Sequence, residues 1–252
     1  MRERFDLDLV SLDKLALLIH GAYGAGKTHL QGDFLSWASV KGPVAFLNIK
    51  GEDGQMSLAH ARLGTVGQTV TTLAEYNEVL KEYAGQHLAA LAVDALPALY
   101  DLILMSLNAK GELRYPDASI DGDRSRMMWG QATMRIRSAV IRSREVAPYV
   151  LWTSAYDRSA NAVETGAAQR ITPNLPGKLA DGIAGVFDAV GYLTAETLSP
   201  EHVQRRVLLA PTLAVLTKLR LPRPITKPID IPAGKGGWAA IFAAFEAALK
   251  PV

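Results

Sequence analysis

The stretch GAYGAGKTHL, residues 21–30, follows directly on the apolar run LALLIH (15–20). It satisfies G-x-x-x-x-G-K-[ST] with Gly21, Gly26, Lys27 and Thr28 in the fixed places. Chance gives such a match in on the order of one chain per hundred of this length. Glycine tolerates backbone angles that other residues avoid. Successive N–H groups of Ala22, Tyr23, Gly24, Ala25 and onward to His29 are therefore predicted to converge on phosphate oxygens. Lys27 is placed to reach the outer phosphates and Thr28 to offer its hydroxyl to Mg²⁺. A helix starting near Gly26 turns its positive end toward the same anion. A plain glycine-rich turn is the other reading of these residues. The strand before it and the helical pattern after it form the context that a phosphate-binding P-loop requires, so the expected ligands are ATP and Mg²⁺.

Working outward, PVAFLNI (43–49), LAALAVD (88–94), YVLWTSA (149–155) and AVGYLTA (189–195) repeat the character of LALLIH. These are short runs rich in Val, Leu and Ile that read as buried strands. Helical patterns separate them at 28–40, 73–84, 97–108 and about 124–146. The alternation predicts an α/β fold with a mostly parallel central sheet and helices on both faces, whose ligands bind at the carboxyl ends of the strands. After residue 195 the pattern changes. VQRRVLLAP and LAVLTKLRL read as a β-hairpin or meander, an antiparallel C-terminal extension of the sheet. Four prolines between Pro222 and Pro232 predict an extended loop, and WAAIFAAFEAALK (238–250) a closing helix. One domain is expected, with its core at about 15–195.

Composition narrows the chemistry. A chain of 252 residues that is 49% apolar can bury a full core. The absence of cysteine excludes disulfides, thiolate metal sites and cysteine nucleophiles. A net charge of +2 does not by itself indicate a nucleic-acid binder, so any such surface must be local. The N-terminal MRERFDLDLV lacks a signal-peptide pattern, and no apolar run approaches a membrane span; the expected location is the cytoplasm.

In LAALAVDAL an apolar strand delivers Asp94 at its carboxyl end, where a carboxylate can join the Mg²⁺ shell. The same aspartate could instead cap the helix that follows. Glu52 and Asp53 come just after the second strand, and either can orient or deprotonate water near a γ-phosphate. E-D-G is also ordinary turn chemistry; Glu52 is taken as the base. Thr153, Ser154 and Tyr156 end another strand, as γ-phosphate sensors or as plain hydrogen-bonding residues.

Taken together, GAYGAGKT, AFLNIKGED, AVDAL, VLWTSAYDR and LPGKLADGIAGVFDAVGYL resemble the RecA-like ATPases of bacteriophages, including single-strand annealing and recombinase-related proteins. The resemblance runs from Leu15 to about Arg220. It implies a RecA-like P-loop NTPase fold, a catalytic glutamate after the second strand, self-assembly into a ring or filament, and action on single-stranded DNA. Lys50 stands where strict RecA spacing puts that glutamate, so Glu52 requires a two-residue slip, and Ala95 replaces the serine that often follows the aspartate. The resemblance also makes Lys218 and Arg220 candidate catalytic cations, presented across a subunit interface to a neighbour's γ-phosphate. It places DNA on the loop after the 149–155 strand, where Arg158, Arg170 and Lys178 could meet phosphates. A basic stretch at Arg135, Arg137, Arg142 and Arg144 precedes that strand. A second loop, 108–126, with Tyr115, reads as a surface insertion.

The expected function is an ATP-hydrolysing protein acting on single-stranded DNA in phage-type recombination, annealing or repair. The rivals are a motor or loader ATPase for helicase action or DNA packaging, a small-molecule kinase, and a nucleotide-gated binding module.

Overall fold

A computed structural model describes residues 11–51, 58, 66–109, 122–158, 170–176, 178–199 and 202–250. Its order is β1 (Leu15–Gly21), α1 (Lys27–Ser39), β2 (Val44–Ile49), β3 (Val66–Val70), α2 (Leu73–Ala84), β4 (Ala90–Asp94), α3 (Leu96–Ala109) and α4 (Gly122–Val146). There follow β5 (Tyr149–Arg158), β6 (Ile171–Pro173), α5 (Lys178–Ala184), β7 (Ala189–Ser199), β8 (His202–Leu208), β9 (Lys218–Leu219), β10 (Ile229–Ile231) and α6 (Gly237–Leu249). The sheet runs β10-β8-β7-β1-β5-β4-β2-β3. From β7 to β3 every neighbouring pair is parallel.

The parallel strands are covered on both sides, which is why they read as continuous apolar runs rather than alternating ones. Alternate residues of β1 enter different cores. Leu15, Leu17 and Ile19 pack with Leu30 and Phe34 of α1 and Trp238 of α6. Ala16 and Leu18 join Tyr76 of α2, Leu99 of α3 and Ile136 of α4. The sheet therefore has an α1/α6 face and an α2/α3/α4 face. A side chain's parity along its strand decides which face it serves. No helix among the described residues is long and apolar enough to cross a membrane.

Beyond β1 the sheet turns antiparallel, and here the outcome differs from the expectation. VQRRVLL pairs with the preceding strand, Leu193 opposite Val207, so the hairpin is β7–β8. LAVLTKLRL contributes only the two-residue β9, which pairs with β7 at Ala189 and Val190 where β8 has ended. A continuous β8–β9 hairpin would compete for the β7 edge that both of them use. The proline-rich loop contains the short strand β10 on the outer edge of β8, a place proline tolerates because an edge N–H needs no ladder partner. The strand β3 had not been expected. Its sequence VGQTV lies on the far edge beside β2 and is polar enough to show no apolar run.

Two long-range anchors tie the antiparallel part to the body. Asp188, just before β7, accepts from the Ala16 amide at 2.9 Å and from Arg144 at 2.9 and 3.0 Å. Asp33 of α1 accepts from the Gly237 amide at 2.9 Å and so caps α6. Near the same corner the Lys41 ammonium lies 4.0 Å from the Trp37 ring centroid and 4.6 Å from that of Tyr149.

Candidate nucleotide site

The segment 21–30 leaves β1 at Gly21, turns through the loop 22–26 and enters the first turn of α1, at the carboxyl end of the parallel strands. Its glycines serve two different needs. Gly24 and Gly26 have φ of +76° and +98°, a region costly for residues with a Cβ. Gly21 has no such angle; a Cβ there would collide with the Leu193 carbonyl oxygen of β7. Lys27 curls back over the loop and donates to the carbonyls of Gly21 at 3.0 Å and Ala22 at 2.8 Å. Ala25 is buried, whereas the Tyr23 ring is 77% exposed, with Lys27 Nζ 5.5 Å from its centroid.

A cavity of about 450 Å³ opens above this loop, walled by Tyr23, Gly24, Lys27, Thr28 and, from the next strands, Asp94 and Ala155. Parity explains how the polar groups meet there. Asp94 of β4 and Thr153 of β5 both point to the sheet face that carries α1, like Ala92 and Leu151 two residues earlier. Thr28 Oγ1 donates to Asp94 Oδ2 at 3.1 Å, and the Thr153 hydroxyl donates to Asp94 Oδ1. The carboxylate is thus turned to the loop and not to the first turn of α3. Burial raises the Asp94 pKa. The hydrogen bonds from Thr153 and Thr28 and the Lys27 charge oppose that shift by favouring the ionised form.

These residues fit a small divalent cation. A hydroxyl and a carboxylate converge beside a phosphate-sized loop, and Mg²⁺ takes one or two carboxylates and completes its shell with phosphates and water. Among the described residues no group of three His, Asp or Glu side chains lies together; those that could join such a shell here are Thr28 and Asp94.

Of the other expected residues, Glu52 and Asp53 lie outside the described residues. Of the three polar groups Thr153, Ser154 and Tyr156, only Thr153 reaches the site, buried behind it and bonded to Asp94. Ser154 points to the opposite face, donates to the Ala155 carbonyl and accepts from the Asn174 amide. Tyr156 instead packs near Tyr192, ring centroids 6.4 Å apart.

Lys218 and Arg220 do share a face, but their nitrogens serve their own chain. Lys218 Nζ donates to the carbonyls of Ala184, Gly185 and Phe187 at 2.9, 3.3 and 2.8 Å. Arg220 donates to Gly185 O at 2.7 Å and lies 3.7 Å from Asp188 Oδ1. They satisfy carbonyls left open where α5 ends, a need that every helix C-terminus has. Burial and the nearby Arg220 lower the Lys218 pKa.

Arg158 ends β5, and its backbone pairs with Ile171 of β6, one residue after Arg170. The two residues therefore stand at the same end of the β5–β6 pair, the end where the chain passes from one strand to the other. Arg170 reaches Asp181 at 3.4 Å. Lys178 opens α5. In the basic stretch of α4, Arg137 and Arg142 are exposed, whereas Arg144 turns inward to Asp188 and the Val186 carbonyl.

Two residues at the site escaped the sequence reading. Asn48 of β2 is the register partner of Asp94 and is 3% exposed; it donates to Thr69 at 3.4 Å, and its Oδ1 is buried without a partner among the described residues. Arg205 of β8 donates through Nε to the Ala25 carbonyl at 3.1 Å. Asn48 was legible from its place in the strand before Glu52, but nothing in the local sequence of Arg205 points to a loop 180 residues away.

A family model described as an AAA domain matches residues 13–221. No curated protein matches the chain.

Proposed function

The chain belongs to the AAA domain family, and from that premise we propose a Mg²⁺-dependent ATPase, RecA-like in build, that assembles with itself and acts on single-stranded DNA in phage-type recombination, annealing or repair. The observation that carries the nucleotide part is the convergence of Thr28, Asp94 and Thr153 on one side of the P-loop. Thr28 and Asp94 hold Mg²⁺ in this reading, and the ion supplies charge neutralisation and alignment of the outer phosphates. Lys27 leaves the Gly21 and Ala22 carbonyls for those phosphates. Thr153 fixes the rotamer of Asp94, so the carboxylate meets its ligand preorganised.

Glu52 is proposed to orient or deprotonate the attacking water. What supports it is adjacency: β2 lies beside β4 with Asn48 level with Asp94, and the chain leaves β2 at Ile49, three positions before Glu52. What supports the DNA part is the β5–β6 pair, which extends beyond the level of Gly21 and brings Arg158 and Arg170 close together at its end. With no base-reading motif in the chain, binding there would be governed by phosphate charge and would weaken with salt.

The test is the ATPase rate with and without single-stranded DNA, across a range of protein concentration. Stimulation by DNA that is lost in Arg158→Ala/Arg170→Ala is the expected result. A rate indifferent to DNA leaves a P-loop ATPase and removes the recombination reading. No hydrolysis, with ATP still bound, leaves a nucleotide-gated binding module.

A further inference from the structure

On the α1 face of the sheet the side chains change character at one level. Phe46 of β2, Ala92 of β4 and Leu151 of β5 pack into the core with α1. Two residues farther along the same strands stand Asn48, Asp94 and Thr153, and Thr69 of β3 is level with Asn48. Strand parity puts all four on that one face. A polar row therefore crosses four neighbouring parallel strands, and it includes Asp94 at the metal end of the nucleotide site.

The row is bonded at both ends and open in the middle. Thr153 donates to Asp94 Oδ1, and Thr28 of α1 donates to Oδ2. Asn48 Nδ2 donates to Thr69 Oγ1 at 3.4 Å, on the β3 side. The two ends of an amide diverge, which leaves Oδ1 for the β4 side, where the level neighbour is the Asp94 carboxylate. That oxygen is buried without a partner among the described residues. An amide oxygen and a carboxylate are both acceptors, and neither can supply the proton the other lacks. Such buried acceptors are rare, and a gap between two of them suits a positive ion or the protons of its water. The other buried amide oxygen near the site, Gln31 Oε1, is also unpartnered, but Gln31 is tied through Nε2 to the Val93 carbonyl at 2.9 Å. Asn48 is the amide that stands level with Asp94.

We propose that Asn48 belongs to the outer shell of the metal: its Oδ1 accepts a hydrogen bond from a water on the Mg²⁺ held by Thr28 and Asp94, and so helps to fix where the ion sits. The proposal rests on reading Thr28 and Asp94 as the metal's ligands. Sheet order makes the contact indirect. Seen from β1 and the P-loop, β2 lies beyond β4, so Asn48 approaches Asp94 from the side away from Thr28. Mg²⁺ bound through one or two carboxylates keeps several waters, and these are the donors that the amide lacks. Asn48 is thus a positioning residue that acts through water, and its bond to Thr69 holds the amide in the orientation this requires.

The experiment measures binding of AMP-PNP, a non-hydrolysable ATP analogue, to the full chain by titration calorimetry, once with Mg²⁺ and once in EDTA. In wild type Mg²⁺ should tighten binding. Asn48→Leu, close in size but without an acceptor, should reduce that tightening about tenfold, the scale of losing an outer-shell partner, and leave binding in EDTA unchanged. Asn48→Asp keeps the acceptor and adds a charge that the cation favours, so its Mg²⁺ dependence should equal or exceed that of wild type. Full Mg²⁺ dependence in a folded Asn48→Leu protein would overturn the proposal. So would equal weakening in Mg²⁺ and in EDTA, which would make Asn48 a structural residue. If Asn48→Leu does not fold, Asn48→Asp decides alone, and a Mg²⁺ dependence below that of wild type overturns the proposal. Wild type that binds the analogue equally well in Mg²⁺ and in EDTA would remove the metal reading of Thr28 and Asp94, and the outer-shell residue with it.

Discussion

The two flanks of β1 border the same loop but are made differently. On the β5–β4 side all strands run the same way, and each brings a short side chain up beside the loop: Thr153 from the middle of β5, Asp94 from the end of β4. On the β7–β8 side the direction reverses at the hairpin, so the loop is met by the long side chain of Arg205, midway along β8, and by the Gly234 carbonyl, which meets His29 at the start of α1. Parallel pairing suits groups that must be fixed closely, because α1 and the neighbouring strands bury Asp94 and both its oxygens are bonded. The antiparallel flank reaches over the loop from outside, through the bond of Arg205 to the Ala25 carbonyl.

The comparison breaks most completely at the element the flanks share. Lys27→Ala should weaken ATP and tripolyphosphate alike by about 100-fold or more in calorimetry, since a charge-assisted contact to phosphate is lost while the fold is kept. Unchanged affinity in a folded variant would mean that both flanks border an ordinary turn. Asp94→Asn tests one flank alone. Mg²⁺-ATP binding should fall about tenfold while binding measured in EDTA stays the same; an equal loss under both conditions would make Asp94 a structural residue.

Away from the loop, Lys218→Ala removes the donor to three carbonyls and should cost roughly 1–3 kcal/mol in denaturant unfolding with nucleotide affinity unchanged. Unaltered stability combined with a lower ATPase rate would instead assign Lys218 to a neighbouring subunit's site. The smallest expected effect lies on the other face of β1. His20 is buried, bonds through Nε2 to the Leu216 carbonyl, and is held down to about pKa 4, first by burial and then, against that bond, by the Lys27 charge. Tyr192 packs on its ring. Its folded pKa is below the unfolded one, so its contribution is complete above about pH 6.5 and is lost as pH falls toward 4. Between pH 7 and 6 the loss should be about 0.7 kcal/mol, and the His20→Gln protein should lack that slope in denaturant titrations.

The parallel flank was legible in the sequence because its signals are local: four motif residues between an apolar run and a helix, and an aspartate at a strand end. Thr153 could be named as a candidate, but its partner could not, since strand order is not written in any one segment. The antiparallel flank was hidden for two reasons. LAVLTKLRL has the apolarity of a strand, but most of it runs outside the strands, with Val215 in an isolated bridge to Ile171; Val215 and Leu216 are buried by packing and not by pairing, and Leu213 is exposed. Lys218 and Arg220 showed their shared face but not the open carbonyls after α5 that use them. Arg205 sits in QRRVL, where alternation marks a strand and says nothing of the loop above it.

The separations along the chain set an order in time. The bonds that finish the outer flank join positions 29 and 234, 33 and 237, and 25 and 205. Thr28, Asp94 and Thr153 are all synthesised within the first 153 residues. At bacterial-like elongation of about 5–20 residues per second, the phosphate end can therefore assemble several seconds before the wall at Gly234 exists. During that interval the nascent protein carries a P-loop whose far side is open to water, and that side closes only as Gly234 meets His29 and α6 docks on Asp33.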